Sequence, residues 1–154
     1  MFRKRSFIMV FAIFVFLFVG VLFLSCDNGS GSGNAQKVLV VVGMPESIFL
    51  AGYNNGGALA LYPPGSTVQN AIAMTNIVAG AYFNNTDIAN VKIGSSYNVT
   101  VPLYLTNGTA WTGGGTYDVY CIIQGYPVRY YKAANVNFSG GATIQWSSVT
   151  EVFP

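Results

Sequence analysis

A chain of 154 residues has room for one domain with short additions, and its 52% hydrophobic content beside 8% charged residues first suggests a membrane protein. The apolar residues are unevenly spread: residues 1–26 hold seven of the eleven Phe, whereas all ten Tyr and both Trp lie beyond them. Beyond Cys26, Lys37, Lys92, Arg129 and Lys132 stand against Asp27, Glu46, Asp87, Asp118 and Glu151, so that part carries about −1 instead of the whole chain's +2. No Lys/Arg stripe remains there to neutralise phosphates, which excludes nucleic acid as a partner.

Residues 1–25 have the three-part form of a secretory signal: basic Arg3-Lys4-Arg5, an apolar run from Phe7 to Leu24, then Ser25 before Cys26. Positive charge ahead of the run keeps that end cytoplasmic and sends the rest of the chain across the membrane. The 18-residue run is long for a signal and just long enough to span a bilayer, so its length fits a cleaved leader and a retained helix equally. Leu22-Phe23-Leu24-Ser25-Cys26 resembles the lipobox of bacterial lipoproteins, in a relaxed form with Phe23 and Leu24 at positions that usually hold other residues. The resemblance implies acylation of Cys26 and cleavage just before it. The alternative is a retained anchor helix with an incidental cysteine at its outer end. Both readings hold the domain outside the cytoplasm against the cell membrane or the outer membrane, facing periplasm or exterior.

Residues 26–35 comprise this cysteine and a tether, Asp27-Asn28-Gly29-Ser30-Gly31-Ser32-Gly33-Asn34. Gly and Ser make it a flexible coil of roughly 16 Å mean span and ~28 Å maximal reach.

From residue 36 to 154 turn signals are dense, at Gly43-Met44-Pro45, Asn54-Asn55-Gly56-Gly57, Pro63-Pro64-Gly65-Ser66, Asn84-Asn85-Thr86-Asp87, Gly94-Ser95-Ser96, Asn107-Gly108, Gly113-Gly114-Gly115, Gly125-Tyr126-Pro127 and Ser139-Gly140-Gly141. The short runs between them are rich in Val, Ile, Thr and Tyr and read as strands. Lys37 to Val42, continuously apolar from Val38 on, reads as a central strand covered on both faces. Tyr97, Val99, Val101, Leu103 and Leu105 alternate onto one face, with Pro102 outward at an edge or a bulge. Tyr117, Val119, Cys121 and Ile123 alternate likewise, which turns Cys121 inward as a small hydrophobe without a disulfide partner. Ser66 to Tyr82 has helical spacing at Val68, Ile72 and Thr75, but strand is the favoured reading there. Ala142 to Val152 is the last strand, with Ile144 and Trp146 inward. The expectation is an all-β domain, an antiparallel β-sandwich of about seven to nine strands and of immunoglobulin-like or transthyretin-like size.

The chain contains no histidine, which removes the commonest general base and zinc ligand and every Ser-His or Cys-His mechanism. Glu46, Asp87, Asp118 and Glu151 show no spacing that pairs two carboxylates across a cleft, so they read as solvated surface acids. Asn84-Asn85-Thr86-Asp87 reads as an Asx-turn rather than a calcium loop. No catalytic residue, cofactor or metal is therefore expected. Trp111, in a glycine-rich loop, and Tyr126, Arg129, Tyr130 and Tyr131 are the candidate ligand-binding residues: flat rings beside polar groups suit a sugar or a peptide. The other reading of Trp111 is a plug for one end of the sandwich.

Val41-Val42-Gly43-Met44-Pro45, Trp111-Thr112-Gly113-Gly114-Gly115-Thr116-Tyr117-Asp118-Val119 and Val136-Asn137-Phe138-Ser139-Gly140-Gly141-Ala142-Thr143-Ile144-Gln145-Trp146-Ser147 resemble a module of small spirochaete lipoproteins. The resemblance implies a β-rich extracytoplasmic domain and brings no activity or site residues with it. The expected role is a non-enzymatic binding or structural module. Its partners are the membrane through the lipid anchor and either a glycan or an envelope protein. The alternative is a carbohydrate-binding module using exposed Trp and Tyr.

Overall fold

The computed structural model describes residues 35–154, so the leader, the lipidation of Cys26 and the tether lie outside the described residues. The described chain runs β1 (Val38–Pro45), α1 (Glu46–Asn55), β2 (Gly57–Tyr62), α2 (Val68–Ala73), β3 (Ala79–Tyr82), β4 (Ala89–Ile93) and β5 (Ser96–Pro102). It continues with β6 (Gly115–Ile123), β7 (Arg129–Phe138), β8 (Ala142–Gln145), a 3₁₀ turn at Trp146–Ser148 and β9 (Thr150–Val152). The strands form two sheets, sheet A in the order β4-β5-β1-β8 and sheet B in the order β3-β2-β6-β7-β9. Every neighbouring pair is antiparallel except β1 with β8, which run parallel. The fold is thus strand-rich and dominated by antiparallel pairs, as the alternating runs imply, with two helices and one parallel pair added.

Alternation builds the core. Val99, Val101 and Leu103 are buried from the first alternating run, and Val119, Cys121 and Ile123 from the second. They meet Leu39, Val41, Leu59, Leu61 and Ile144 in one apolar cluster shared by both sheets. Each such Val, Leu or Ile stabilises the fold by ~1.5–3 kcal/mol relative to exposure. β1 needs a bulge to contribute fully. Val41 pairs with Val99 but Met44 pairs with Tyr97, so Val42 and Gly43 together face Asn98. Gly43 takes φ 74° there, and its N–H donates to Asn98 Oδ1 at 3.0 Å. The extra residue changes the parity, so Met44 turns inward three positions after Val41. β1 is central in its sheet as expected, but it is not buried on both faces: Val38, Val40 and Val42 are only half covered. Pro102 ends β5 opposite Val38, beyond the last β4 pairing at Ala89–Thr100, so its missing N–H interrupts no ladder bond.

Three stretches differ from the expectation of strand. Glu46–Asn55 is helical because Ile48, Phe49 and Gly52 fall on one helical face, and that face buries. Phe49 stacks on Tyr97 at 4.2 Å and meets Phe83 edge-on at 6.1 Å. Gly52 and Gly57 let the helix lie tight against β2, since a Cβ on Gly57 would come within 2.9 Å of Gly52 Cα. The Ser66–Tyr82 segment divides: Thr67 and Asn70 form a capping box for α2, Met74 closes it in the left-handed region, and strand resumes at Ala79. Ala142 to Val152 is two strands, with the 3₁₀ turn carrying the chain from sheet A to sheet B. Trp146 sits in that turn, half-buried against Tyr131 at 5.2 Å, rather than on an inward strand face.

A second apolar cluster covers the other face of sheet B, where Ala60, Tyr62, Tyr120, Ile122 and Tyr130 pack under Val68 and Ala71 of α2. β6 is therefore buried on both faces from Asp118 to Ile123.

Candidate functional site

The two ends of the domain differ, and the strand register defines them. At one end the described chain enters: Lys37 N–H donates to the Trp111 carbonyl at 2.8 Å, and Leu103 N–H donates to the Lys37 carbonyl at 3.0 Å. Trp111 belongs to this end and is buried, with 5% of its surface exposed. Its indole sits edge-on to Tyr117 and to Phe138, each at 5.4 Å. The glycine loop wraps the ring instead of displaying it, since a Cβ on Gly113 would stand 2.7 Å from the indole Nε1. Trp111 is accordingly a plug of the core, which corrects the expectation of an exposed Trp platform.

The remaining candidates separate. Tyr130 and Tyr131 are adjacent on β7 and point to opposite faces, Tyr130 into the outer cluster of sheet B and Tyr131 into the core between the sheets. Both are buried, Arg129 is half-buried, and burial pushes the hydroxyl pKa of both tyrosines up. Only Tyr126 stands free, fully exposed at the tip of the β6–β7 hairpin. Distant parts of the chain join it there. Gln124 N–H donates to the Gly56 carbonyl at 2.8 Å, bringing the end of α1 and its Tyr53, 54% exposed, to the hairpin. β9 pairs Val152 with Tyr130, so Phe153, 74% exposed, reaches the level of Arg129 at the same end. Tyr126, Tyr53 and Phe153 are thus exposed at one end of the domain, opposite the one where the chain enters, and Arg129 and the amides of Asn54, Asn55 and Gln124 lie at that same end. Sequence reasoning missed Tyr53 and Phe153. The signal for Tyr53 is its place four residues after Phe49, legible once Glu46–Asn55 is taken as a helix.

The acids do not assemble into chemistry. Glu46 pairs with Lys92. Asp87 accepts the Tyr104 hydroxyl at 2.6 Å, and its own N–H donates to Asn85 Oδ1 at 3.0 Å, the Asx-turn of that loop. Asp118, expected to be solvated, is 1% exposed. It points away from the inter-sheet core as expected, but the Pro63–Thr67 loop covers it. Its Oδ2 lies 2.8 Å from Lys132 Nζ, which donates to the Ser66 carbonyl at 2.6 Å. Its Oδ1 accepts the N–H of Asn135, a left-handed residue in the bulge where Ala134 and Asn135 face the single Asp118. Burial pushes this carboxyl up, but the Lys132 ammonium and the Asn135 and Gly65 amides outweigh it and hold the carboxyl below the usual range. The arrangement locks the loop over sheet B, and Tyr120 adds a hydrogen bond to the same Ser66 carbonyl at 2.8 Å. Cys121 is free and buried, and burial pushes its thiol far above the usual range, away from nucleophilic use. Among the described residues no group of three His, Cys, Asp or Glu is placed to hold a metal ion, and no helix is long and apolar enough to cross a membrane.

Comparison with known proteins adds no relative. No family model, curated protein or solved structure matches this chain.

Proposed function

We propose that this chain is a lipid-anchored extracytoplasmic module with no catalytic role, whose two sheets make a β-sandwich of immunoglobulin-like or transthyretin-like size, and which offers its aromatic end to a partner in the envelope. One observation carries the reading. Tyr126, Tyr53 and Phe153 are exposed at the end opposite Lys37, where the chain arrives from Cys26 and the tether. The nine residues of β6 span about 30 Å between those ends at ~3.3 Å per residue. A tether of ~28 Å maximal reach attaches at the Lys37 end, which leaves the aromatic end clear of the attachment point. Exposed aromatics beside Arg and amides favour recognition, because rigid rings bury large area at little entropic cost. An envelope protein is the preferred partner, since burial of Trp111 removes the best sugar-stacking ring; the exposed Tyr126 and amide rim keep a glycan as the second reading.

Two measurements test this. Metabolic labelling with a fatty-acid analogue is expected to mark the wild type and not Cys26→Ala, and equal labelling of both overturns the anchor. A photo-crosslinking residue at position 126, compared in cells with one at the exposed Asn107 of the opposite end, is expected to give partner adducts from 126 alone. Adducts from neither position, or equally from both, overturn the site at the aromatic end.

A further inference from the structure

β4 is the outer strand of sheet A, paired on one side with β5 and exposed at all five residues. Such an edge presents unpaired N–H and C=O groups, which proteins commonly protect with a proline, a bulge or an outward charge. Ala89–Ile93 has neither proline nor bulge in its pairing with β5. Its only charge, Lys92, is on the inner face beside Tyr97 and is drawn to Glu46 at the start of α1. The outer face carries Ala89, Val91 and Ile93, with Val91 61% and Ile93 55% exposed.

The parity of the hairpin specifies what the edge can accept. Gly94 and Ser95 form its two-residue loop, and Ile93 faces Ser96 as the closing pair. Counting back from that hydrogen-bonded pair, Ile93, Val91 and Ala89 turn their backbone groups to β5, while Asn90 and Lys92 turn theirs outward.

We infer that β4 pairs with β4 of a second copy of this chain, antiparallel about a two-fold axis through Val91. In that register Asn90 faces Lys92 of the second copy and Lys92 faces its Asn90, so all outward N–H and C=O groups of both residues are used. Ala89 then faces Ile93 and Val91 faces Val91, an apolar ladder on one surface. A slip by one residue puts backbone groups already bonded to β5 against the new strand. The strand is thus complementary to itself in backbone and side-chain pattern, which a two-fold contact requires. Pairing joins two four-stranded sheets into one, whose outer face continues through Val38, Val40, Val42, Asn98 and Thr100 without a charge. Five residues a side bury far less than the ~1,200 Å² of a stable interface, so the contact is weak and depends on concentration.

The test uses the full chain in lipid vesicles or detergent micelles. Val91 of the two copies forms a non-hydrogen-bonded pair, with Cα atoms about 4.5 Å apart, inside the range a disulfide bridges. Val91→Cys is expected to form a disulfide-linked dimer under mild oxidation. Thr143→Cys, exposed on β8 at the opposite edge, is expected to crosslink only at the background rate of the wild type, which keeps Cys26 and Cys121. Adding Asn90→Pro to Val91→Cys removes an outward N–H and spares the ladder with β5, and it is expected to abolish the crosslink. Independently, wild-type chain is expected to show a concentration-dependent dimer in sedimentation velocity that Val91→Lys loses, because it sets two ammonium groups across the axis. Crosslinking at 91 no faster than at 143, or a dimer that survives Val91→Lys, overturns the pairing. Neither arm depends on acylation of Cys26.

Discussion

Replacing Tyr62 with Phe tests how the outer face of sheet B is held together. The Tyr62 side chain is fully buried and packs edge-on against Tyr120 at 5.2 Å, yet its hydroxyl has no hydrogen-bond partner among the described residues. A buried, unpaired hydroxyl costs about 1–3 kcal/mol, whereas the ring packing does not depend on the oxygen. Tyr62→Phe is therefore expected to raise stability by ~1–2 kcal/mol, a gain of roughly 3–8 °C in Tm for a domain of this size. The same oxygen sets an alkaline limit. Burial first, then the neighbouring Tyr120, Tyr130 and Tyr82, push the Tyr62 pKa up to about 12 from 10.0. Because the folded value lies above the unfolded one, the neutral phenol's contribution is complete below pH 10 and is lost as pH rises towards 12. Two units of difference correspond to about 2–3 kcal/mol. Thermal or urea unfolding of wild type and Tyr62→Phe at pH 7 and pH 11 is the assay, and the variant is expected to gain at pH 7 and gain more at pH 11. A drop in Tm at pH 7 would refute the reasoning, because it would mean that the hydroxyl makes a stabilising bond.

Residues 35–154 expressed by themselves are expected to fold alone, with a far-ultraviolet circular dichroism spectrum dominated by strand; a spectrum dominated by helix or coil counts against this. Trp111→Ala is expected to cost ~3–5 kcal/mol in chemical denaturation, because the indole fills the core between Tyr117 and Phe138. Tyr126→Ala, at a fully exposed tip, is expected to leave the midpoint within about 0.5 kcal/mol of the wild type. Lys132→Met leaves Asp118 buried without its cation and is expected to cost ~3–5 kcal/mol, most of it recovered in the double variant with Asp118→Asn. Since the Asp118 pKa is held below its ordinary value, that carboxylate's contribution is complete above the usual carboxylate range. It is lost as pH falls through the lowered value, which an acid titration of wild type against Asp118→Asn measures.

Much of the fold is legible in the sequence because alternation acts locally. A period of two places Val99, Val101 and Leu103, or Val119, Cys121 and Ile123, on one face whatever lies opposite, and all six are buried. Turn residues such as Gly94-Ser95 mark the hairpins for the same reason. Glu46–Asn55 is not legible as a helix, because a short run carrying Ile48, Phe49 and Leu50 between turn signals suits either period, and only packing on Tyr97 and Phe83 selects the helix. The bulge at Val42 and Gly43 is hidden likewise, since its reason is the pairing with Asn98, 55 residues away.

The site divides along the same line. From sequence alone came the separation of an apolar N-terminal run from a β-rich body, the absence of histidine, and the exposure of Tyr126 beside Pro127, because composition and turn chemistry need no partner to act. Tertiary structure decided that Trp111 is buried, that Tyr130 and Tyr131 face opposite layers, and that Asp118 lies under a loop joined to Lys132. It also put Tyr53 and Phe153 at the same end of the domain as Tyr126. Each of these depends on which strands neighbour one another, and that choice is made by the collective burial of two sheets rather than by any one segment.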